Sequence, residues 1–172
     1  MCMLLAAVGL YVTARWVLVP YRVRGGSMLP TLVGIDDAQP STVGDVVLVS
    51  RLAYVFGEPR RWDVAVVHHA EGGDSVKRIV GLPGERLEIR EGKILIDARP
   101  LSLPHALGGV YVVSKERYGL DPVQLGADEF FLLGDSSYLS QDSRRWGPVH
   151  RGELSGRAVF VAYPWCRLGS IR

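Results

Sequence analysis

The chain has 172 residues, 48% hydrophobic and 22% charged, which is enough to bury a core without disulfide staples. Basic and acidic residues nearly balance, 20 against 18, and no basic block stands out, so the composition gives no support for nucleic-acid binding. The two cysteines, Cys2 and Cys166, form neither a disulfide framework nor a metal-binding CxxC pair.

The first predicted element is an apolar helix over Met3–Tyr21. At 1.5 Å per residue it would extend about 28 Å, close to the roughly 30 Å hydrocarbon core of a bilayer. Arg15 lies near its end, where a long side chain can reach the interface, and Trp16 suits an interfacial belt. We predict a transmembrane anchor over residues 1–21, followed by one folded domain over residues 22–172.

Two other interpretations of the N-terminal segment stay open, a buried amphipathic helix and a cleaved secretory signal, although a charged n-region is lacking. The charges around the predicted span also bear on its orientation in the membrane. Arg15, Arg22 and Arg24 follow the span and no Lys or Arg precedes it. The positive-inside rule alone would therefore place the following domain in the cytoplasm.

After Pro20 the pattern changes to short alternating or apolar runs separated by Gly, Pro and Asp, which indicates strands. Glu91-Gly92 separates two of these runs and predicts a two-residue hairpin turn. We predict a mainly β fold, an antiparallel, partly closed barrel or sandwich. The predicted strands are Asp45–Ser50, Asp63–His68, Ser75–Val80, Arg86–Arg90, Lys93–Asp97, Val110–Ser114, Glu129–Leu133 and Arg157–Tyr163.

The first motif with chemical potential is a serine that follows two glycines, Gly25, Gly26 and Ser27, and precedes Pro30. Glycines without Cβ atoms let another chain approach the backbone closely. A serine so placed just after a membrane helix can meet a substrate that emerges from the bilayer. Such a turn is more often structural than catalytic when it stands alone.

The second motif places Lys77 inside an apolar strand. An ordinary lysine is protonated at neutral pH, but burial lowers the pKa because it disfavours the charged form. A neutral amine can take the proton of a serine hydroxyl. The alternative is an exposed strand lysine without a catalytic role.

The third motif is a polar loop that follows an apolar strand and includes Gly134, Asp135, Ser140, Asp142 and Arg144. An aspartate and an arginine two residues apart can pair and brace a site, and serines can hydrogen-bond an amine. Taken alone, the segment also fits an ordinary surface loop.

Taken together, these motifs resemble the ordered sequence boxes of the type I signal peptidases over nearly the whole chain. The matched segments are Gly25–Leu32, Gly44–Val49, Arg61–Val67, Lys77–Glu85 and Gly134–Gly147. The resemblance implies a Ser/Lys dyad, with Ser27 as nucleophile and Lys77 as general base. It also implies that Ser140 hydrogen-bonds the lysine, that Asp142 and Arg144 form a supporting ion pair, and that no metal or cofactor is needed.

The resemblance further implies a protease of the cell membrane, with one span in the lipid bilayer and the catalytic domain on the extracytoplasmic side. Its substrates would be preprotein signal peptides, cut after small residues at A-x-A sites. The extended substrate would lie beside Gly25, Gly26 and Met28. The sequence does not indicate an oligomeric state.

Three residues depart from the family pattern. Gly25 stands where many relatives carry a serine that completes the oxyanion hole, although some carry glycine. Trp62 replaces a glycine and Ser136 replaces an asparagine. One oxyanion donor would then be the backbone N–H of Ser27, and the second must come from elsewhere.

Several alternatives compete with this interpretation. A Ser–His hydrolase would need one of the four histidines beside Ser27, and a zinc site at His68 and His69 is disfavoured because adjacent strand residues face opposite ways. A self-cleaving repressor-type protease would be soluble and carry a DNA-binding domain. A non-catalytic membrane-anchored scaffold and a maturation peptidase with a narrow client, pilin-type or of an organelle inner membrane, also stay open.

Overall fold

A computed structural model of the chain describes residues 17–36, 43–70, 72–104, 107 and 120–171. These residues fold mainly into two antiparallel sheets, which confirms the predicted mainly β class. The large sheet contains β1 (Leu18–Arg22), β2 (Val46–Ser50), β3 (Val64–His68), β4 (Asp74–Gly81), β9 (Glu129–Leu133), β10 (Val149–His150), β11 (Leu154–Tyr163) and β12 (Gly169–Ser170). The small sheet contains β5 (Arg86–Arg90), β6 (Lys93–Ile96), β7 (Arg99–Pro100) and β8 (Leu120–Gln124). Two single-turn helices are α1 (Leu52–Val55) and α2 (Ser143–Trp146).

The large sheet is an open sheet. Its strand order is β1-β2-β11-β3-β4-β9-β10, with β12 added beside β11. The described strands form no closed barrel, because β1 and β10 stand at opposite ends of the order and no ladder joins them. The ten-residue strand β11 pairs with both β2 and β3. Its register shifts along each neighbour, which indicates β-bulges or similar irregularities in the pairing.

The hairpin between β5 and β6 forms where it was predicted. Arg90 pairs with Lys93 across the turn, and Glu91 and Gly92 have φ values of 52° and 74°. Positive φ at both central residues is typical of a type I′ turn, whose twist matches that of the flanking strands. Val110–Ser114, another predicted strand, lies outside the described residues.

The end of the predicted N-terminal helix is a strand. Leu18–Arg22 form β1, which pairs with β2 from Leu18↔Ser50 to Arg22↔Val46. Pro20 favours this outcome because it has no N–H to donate within a helix. The remainder of the predicted anchor, residues 1–16, lies outside the described residues, and no helix in the described part of the chain is long and apolar enough to cross a membrane.

Buried side chains fix the parts of the fold that carry the polar motifs. Met28 and Leu32 are 1% and 0% exposed and join a core cluster with Val47 of β2. A second cluster connects the sheets, with Phe131 of β9 packed near Leu87 of β5. Burying each such side chain stabilises the fold by about 1.5–3 kcal/mol. The segment around Ser27 is thus anchored by its own apolar neighbours.

Candidate active site

The serine motif lies in a loop that is closed at its base and anchored in the core. The N–H of Gly25 donates to the carbonyl of Ile35 at 2.9 Å, and the N–H of Leu32 donates to the carbonyl of Met28 at 2.8 Å. Because Met28 points into the core, the half-buried Ser27 beside it stays near the surface. The two buried side chains of Met28 and Leu32 thus give the serine a fixed position.

Lys77 reaches this serine from β4. Its Nζ lies 3.0 Å from Ser27 Oγ and 3.0 Å from the carbonyl oxygen of Val76, and the residue is only 4% exposed. Burial lowers the pKa of Lys77 to about 8, while the negative charges of Asp142 and Asp135 act to raise it. A hydroxyl and an amine with a depressed pKa are therefore in hydrogen-bonding contact, as proton transfer between them requires.

A rigid ion pair stands behind the dyad. Arg144 binds both carboxylate oxygens of Asp142, each at 2.7 Å, and also donates to the carbonyl of Ser137 at 3.2 Å. Asp142 is fully buried, caps α2, and accepts the N–H of Gly134 at 3.0 Å. Two-pronged pairing with so many hydrogen bonds fixes the loop in one geometry.

The loop after β9 packs directly on the nucleophile segment. The N–H of Ser136 donates to the carbonyl of Ser27 at 3.0 Å. A Cβ on Gly134 would lie 2.5 Å from that carbonyl oxygen and 2.2 Å from Ser140 Oγ, so only glycine fits there. Ser140 Oγ is buried and has no hydrogen-bond partner among the described residues. Its predicted bond to Lys77 is not formed in this structure, and its role stays a prediction.

A second buried ion pair had no assigned role in the sequence motifs. Arg78 donates from Nε and Nη2 to Asp135 at 2.9 and 2.7 Å, and both side chains are 0% exposed. Arg78 also donates to the carbonyl of Trp62 at 2.9 Å. Trp62 has a φ of 75°, in the left-handed region that favours glycine, and it is the residue that replaces a glycine of the family pattern. Both charged residues lie inside matched boxes, and that was the signal available in the sequence.

A third ion pair connects the C-terminal segment to the serine loop. Arg167 donates to both oxygens of the fully buried Asp45 at 2.8 and 3.1 Å, and to the carbonyl of Thr31 at 3.1 Å. Asp45 also accepts the N–H of Val33 at 2.9 Å. The loop that carries Ser27 is therefore clamped from outside its own segment, and no local motif marks Arg167.

Two strand edges face each other beside the dyad. Among the described strands, residues 74–77 of β4 pair with β3 alone, because β9 joins β4 from Arg78 onward, and β1 ends the sheet order. The hydroxyl of Tyr21 on β1 donates to the carbonyl of Asp74 on β4 at 2.9 Å. An extended chain can add to such an edge through backbone hydrogen bonds.

The glycines beside Ser27 differ in the space around them. Gly25 has a φ of 68°, and a Cβ added to it would meet nothing within 4 Å. A Cβ on Gly26 would lie 2.8 Å from Leu139 Cδ1. The backbone is therefore open on the side of Gly25 and covered by Leu139 at Gly26.

The adjacent histidines His68 and His69 have other partners. His68 pairs with Asp74 at 2.8 Å, and His69 shares a 2.8 Å hydrogen bond with Ser75. Within the described residues, no group of three His, Cys, Asp or Glu side chains is arranged to hold a metal ion. Neither histidine forms a hydrogen bond to Ser27, as a Ser–His hydrolase would require.

Comparison with known proteins identifies the family. The family described as signal peptidase, peptidase S26, matches residues 1–163. The chain belongs to it. A signal peptidase I of Leptolyngbya laminosa is 36% identical over 84% of this chain and 68% of its own length, and that of Bacillus caldolyticus is 30% identical over 84% and 79%. A signal peptidase I structure from Enterococcus faecalis aligns with a TM-score of 0.48 and 25% identity, over 58% of this chain and 96% of that one.

Membership of the signal peptidase family makes this protein a serine endopeptidase.

Proposed function

We propose that this protein removes signal peptides from exported preproteins, with Ser27 as nucleophile and Lys77 as general base. The observation that carries the proposal is the 3.0 Å contact between Lys77 Nζ and Ser27 Oγ at a lysine that is 4% exposed. A buried amine with a pKa near 8 is neutral in a useful fraction of molecules at pH 7 to 8, and a serine needs such a base.

The reaction follows from the positions of these groups. Neutral Lys77 takes the hydroxyl proton as Ser27 Oγ attacks the scissile carbonyl, and the protonated amine then gives its proton to the leaving amine. Water hydrolyses the acyl-enzyme in the second half. The Ser27 backbone N–H is one oxyanion donor in this proposal. Asp142, held by Arg144, fixes the loop behind the lysine.

Substrate binding uses the edges beside the dyad. The segment before the scissile bond would pair as an extended strand between β1 and residues 74–77 of β4, next to Gly25 and Gly26. Small side chains at the first and third positions before the cut would fit shallow apolar pockets, which is the A-x-A preference. With a membrane anchor in the residues that precede β1, the enzyme would cut the bound preprotein on the extracytoplasmic side.

The test is cleavage of a preprotein with an A-x-A site by the full chain in detergent. We expect cleavage after the last alanine of the site. Ser27→Ala and Lys77→Ala should each reduce kcat by at least about 10³-fold while the fold is retained, because each removes half of the dyad.

Lys93→Ala is the matched control, because Lys93 is an exposed lysine on β6 of the small sheet, whereas Lys77 lies on β4 of the large sheet. It should cleave like wild type. Near-normal processing by either dyad variant would overturn the proposal. A folded wild type that rejects general preproteins but cuts one specialised client would favour the narrow maturation peptidase.

A further inference from the structure

A cavity of about 570 Å³ opens beside the lysine of the dyad. Its volume is in the range of ordinary ligand sites. Lys77 lines it, whereas Ser27, Gly25 and Gly26 do not. Its walls also include the side chains of His69, Ser75, Leu139, Gln141 and Trp146.

The walls of this cavity are held in place by contacts with one another. His69 shares a 2.8 Å hydrogen bond with Ser75 Oγ. The imidazole also meets the ring of Trp146 edge to face, with centroids 5.1 Å apart and planes at 74°. Such an aromatic contact fixes ring orientation. Ser75 and Lys77 are two residues apart on β4, so their side chains point to the same face.

The position of the cavity relative to the dyad indicates which part of a substrate enters it. The acyl portion of the substrate lies at Ser27, and the leaving amine lies at Lys77, which protonates it. Leu139 separates the two sides, since its Cδ1 would meet a Cβ on Gly26 at 2.8 Å while it also lines the cavity. The cavity is therefore on the side where the released chain begins.

We propose that this cavity is a specificity subsite for the side chain of the first residue after the scissile bond, and that it selects a bulky uncharged residue there. This inference depends on the proposed function. Among the described residues that line the cavity, Lys77 carries the one permanent charge. A cationic side chain would repel the ammonium of Lys77, and a carboxylate would hold Lys77 protonated and oppose its role as base. Apolar or aromatic side chains pack on Trp146 and Leu139 without either penalty.

The test uses two peptide series with the full chain in detergent. One series varies the residue after the cut among Ala, Phe, Lys and Glu, and the other varies the residue before it among Ala, Ser and Val. Wild type should prefer Phe after the cut. Ser75→Tyr fills the cavity and should reduce kcat/KM for the Phe peptide by about tenfold or more relative to the Ala peptide, since steric loss of a side-chain pocket is worth that much.

Gln141→Ala enlarges the cavity at an exposed position and should increase the preference for Phe. Ser102→Tyr, an exposed serine that follows β7, is the matched control and should change neither series. A uniform loss over all peptides in Ser75→Tyr together with an unchanged preference in Gln141→Ala would overturn the inference. So would a change confined to the residue before the cut. Failure of the proposed function itself is distinct, because wild type would then not cleave even the Ala peptide.

Discussion

Replacing Lys77 by methionine should abolish cleavage and at the same time make the protein more stable. Methionine has a similar length and no charge, so it fills the same space between Ser27 and Val76 without the desolvation of an ammonium. Only a lysine kept for chemistry, at a cost in folding, would show both effects.

The size of the effect follows from the pKa. Burial lowers the pKa of Lys77 from 10.5 to about 8, which corresponds to about 3 kcal/mol of destabilisation at about 1.4 kcal/mol per pH unit. Below pH 8 the lysine is protonated in both states, and the folded state carries the full penalty. Between about pH 8 and 10.5 only the unfolded state still binds the proton, so wild-type stability rises with pH. Lys77→Met lacks this rise.

At pH 7 the variant should be more stable than wild type by about 2 kcal/mol, because about 1 kcal/mol of the gain is lost with the hydrogen bond to the Val76 carbonyl. The free energy of unfolding would be measured by denaturant titration in detergent at pH 7 and pH 10. The difference between the two proteins should shrink toward zero or change sign at pH 10.

Lys93→Met is the control, since that lysine is exposed and its replacement should change stability by less than about 0.5 kcal/mol. The reasoning is refuted if Lys77→Met is less stable than wild type at pH 7. A stability difference that stays the same at pH 10 would also refute it.

Three further changes test other parts of the site. The kcat/KM of wild type should rise with pH and level off above about 8. Asp142→Asn should move this limb to lower pH, because it removes the nearby negative charge that most raises the pKa of Lys77; an unmoved limb would contradict the assignment. Arg167→Ala should cost about 2 kcal/mol of stability, because Asp45 stays buried without its cation, and it should lower kcat about tenfold. Arg167→Lys should recover part of both losses. An unchanged kcat and an unchanged thermal unfolding temperature would contradict the idea that Arg167 holds the serine loop in place. Gly25→Ser should lower stability by about 1 kcal/mol, because Gly25 has a φ of 68° that a serine adopts only with strain. The new hydroxyl should raise kcat in single-turnover assays by adding an oxyanion donor. A lower kcat would argue against an oxyanion-binding role for a hydroxyl at this position.

Strands with clear alternation could be predicted from the sequence, and strands without it could not. β5 and β6 were found with their turn, because Glu91-Gly92 interrupts two alternating runs. β1 was missed because Leu18–Arg22 continues an apolar run of helical length, and only pairing with β2 makes it a strand. Two-residue strands such as β10 have no periodicity to detect. Barrel closure depends on long-range pairing, so alternation does not determine it.

The candidate site shows the same limit. Ser27 and Lys77 could be named because each lies in a distinctive local motif, and the fold brings them within 3.0 Å although they are 50 residues apart. The contact between Arg167 and Asp45 joins residues 122 positions apart, and although Asp45 lies in a matched segment, no motif lies near Arg167. The cavity beside Lys77 is formed by side chains from separate segments, so its existence is a property of the packing alone.

The arrangement of the ion pairs explains how a lysine can be depressed in pKa with two carboxylates nearby. Asp142 and Asp135 would by themselves favour the ammonium of Lys77 and keep it protonated. Each is bound through both oxygens by an arginine, Arg144 and Arg78, whose charge offsets the carboxylate. Burial is the largest influence on the pKa of Lys77, and it outweighs the two carboxylates. Rigid, hydrogen-bonded carboxylates can therefore hold the loop next to a lysine whose pKa stays depressed.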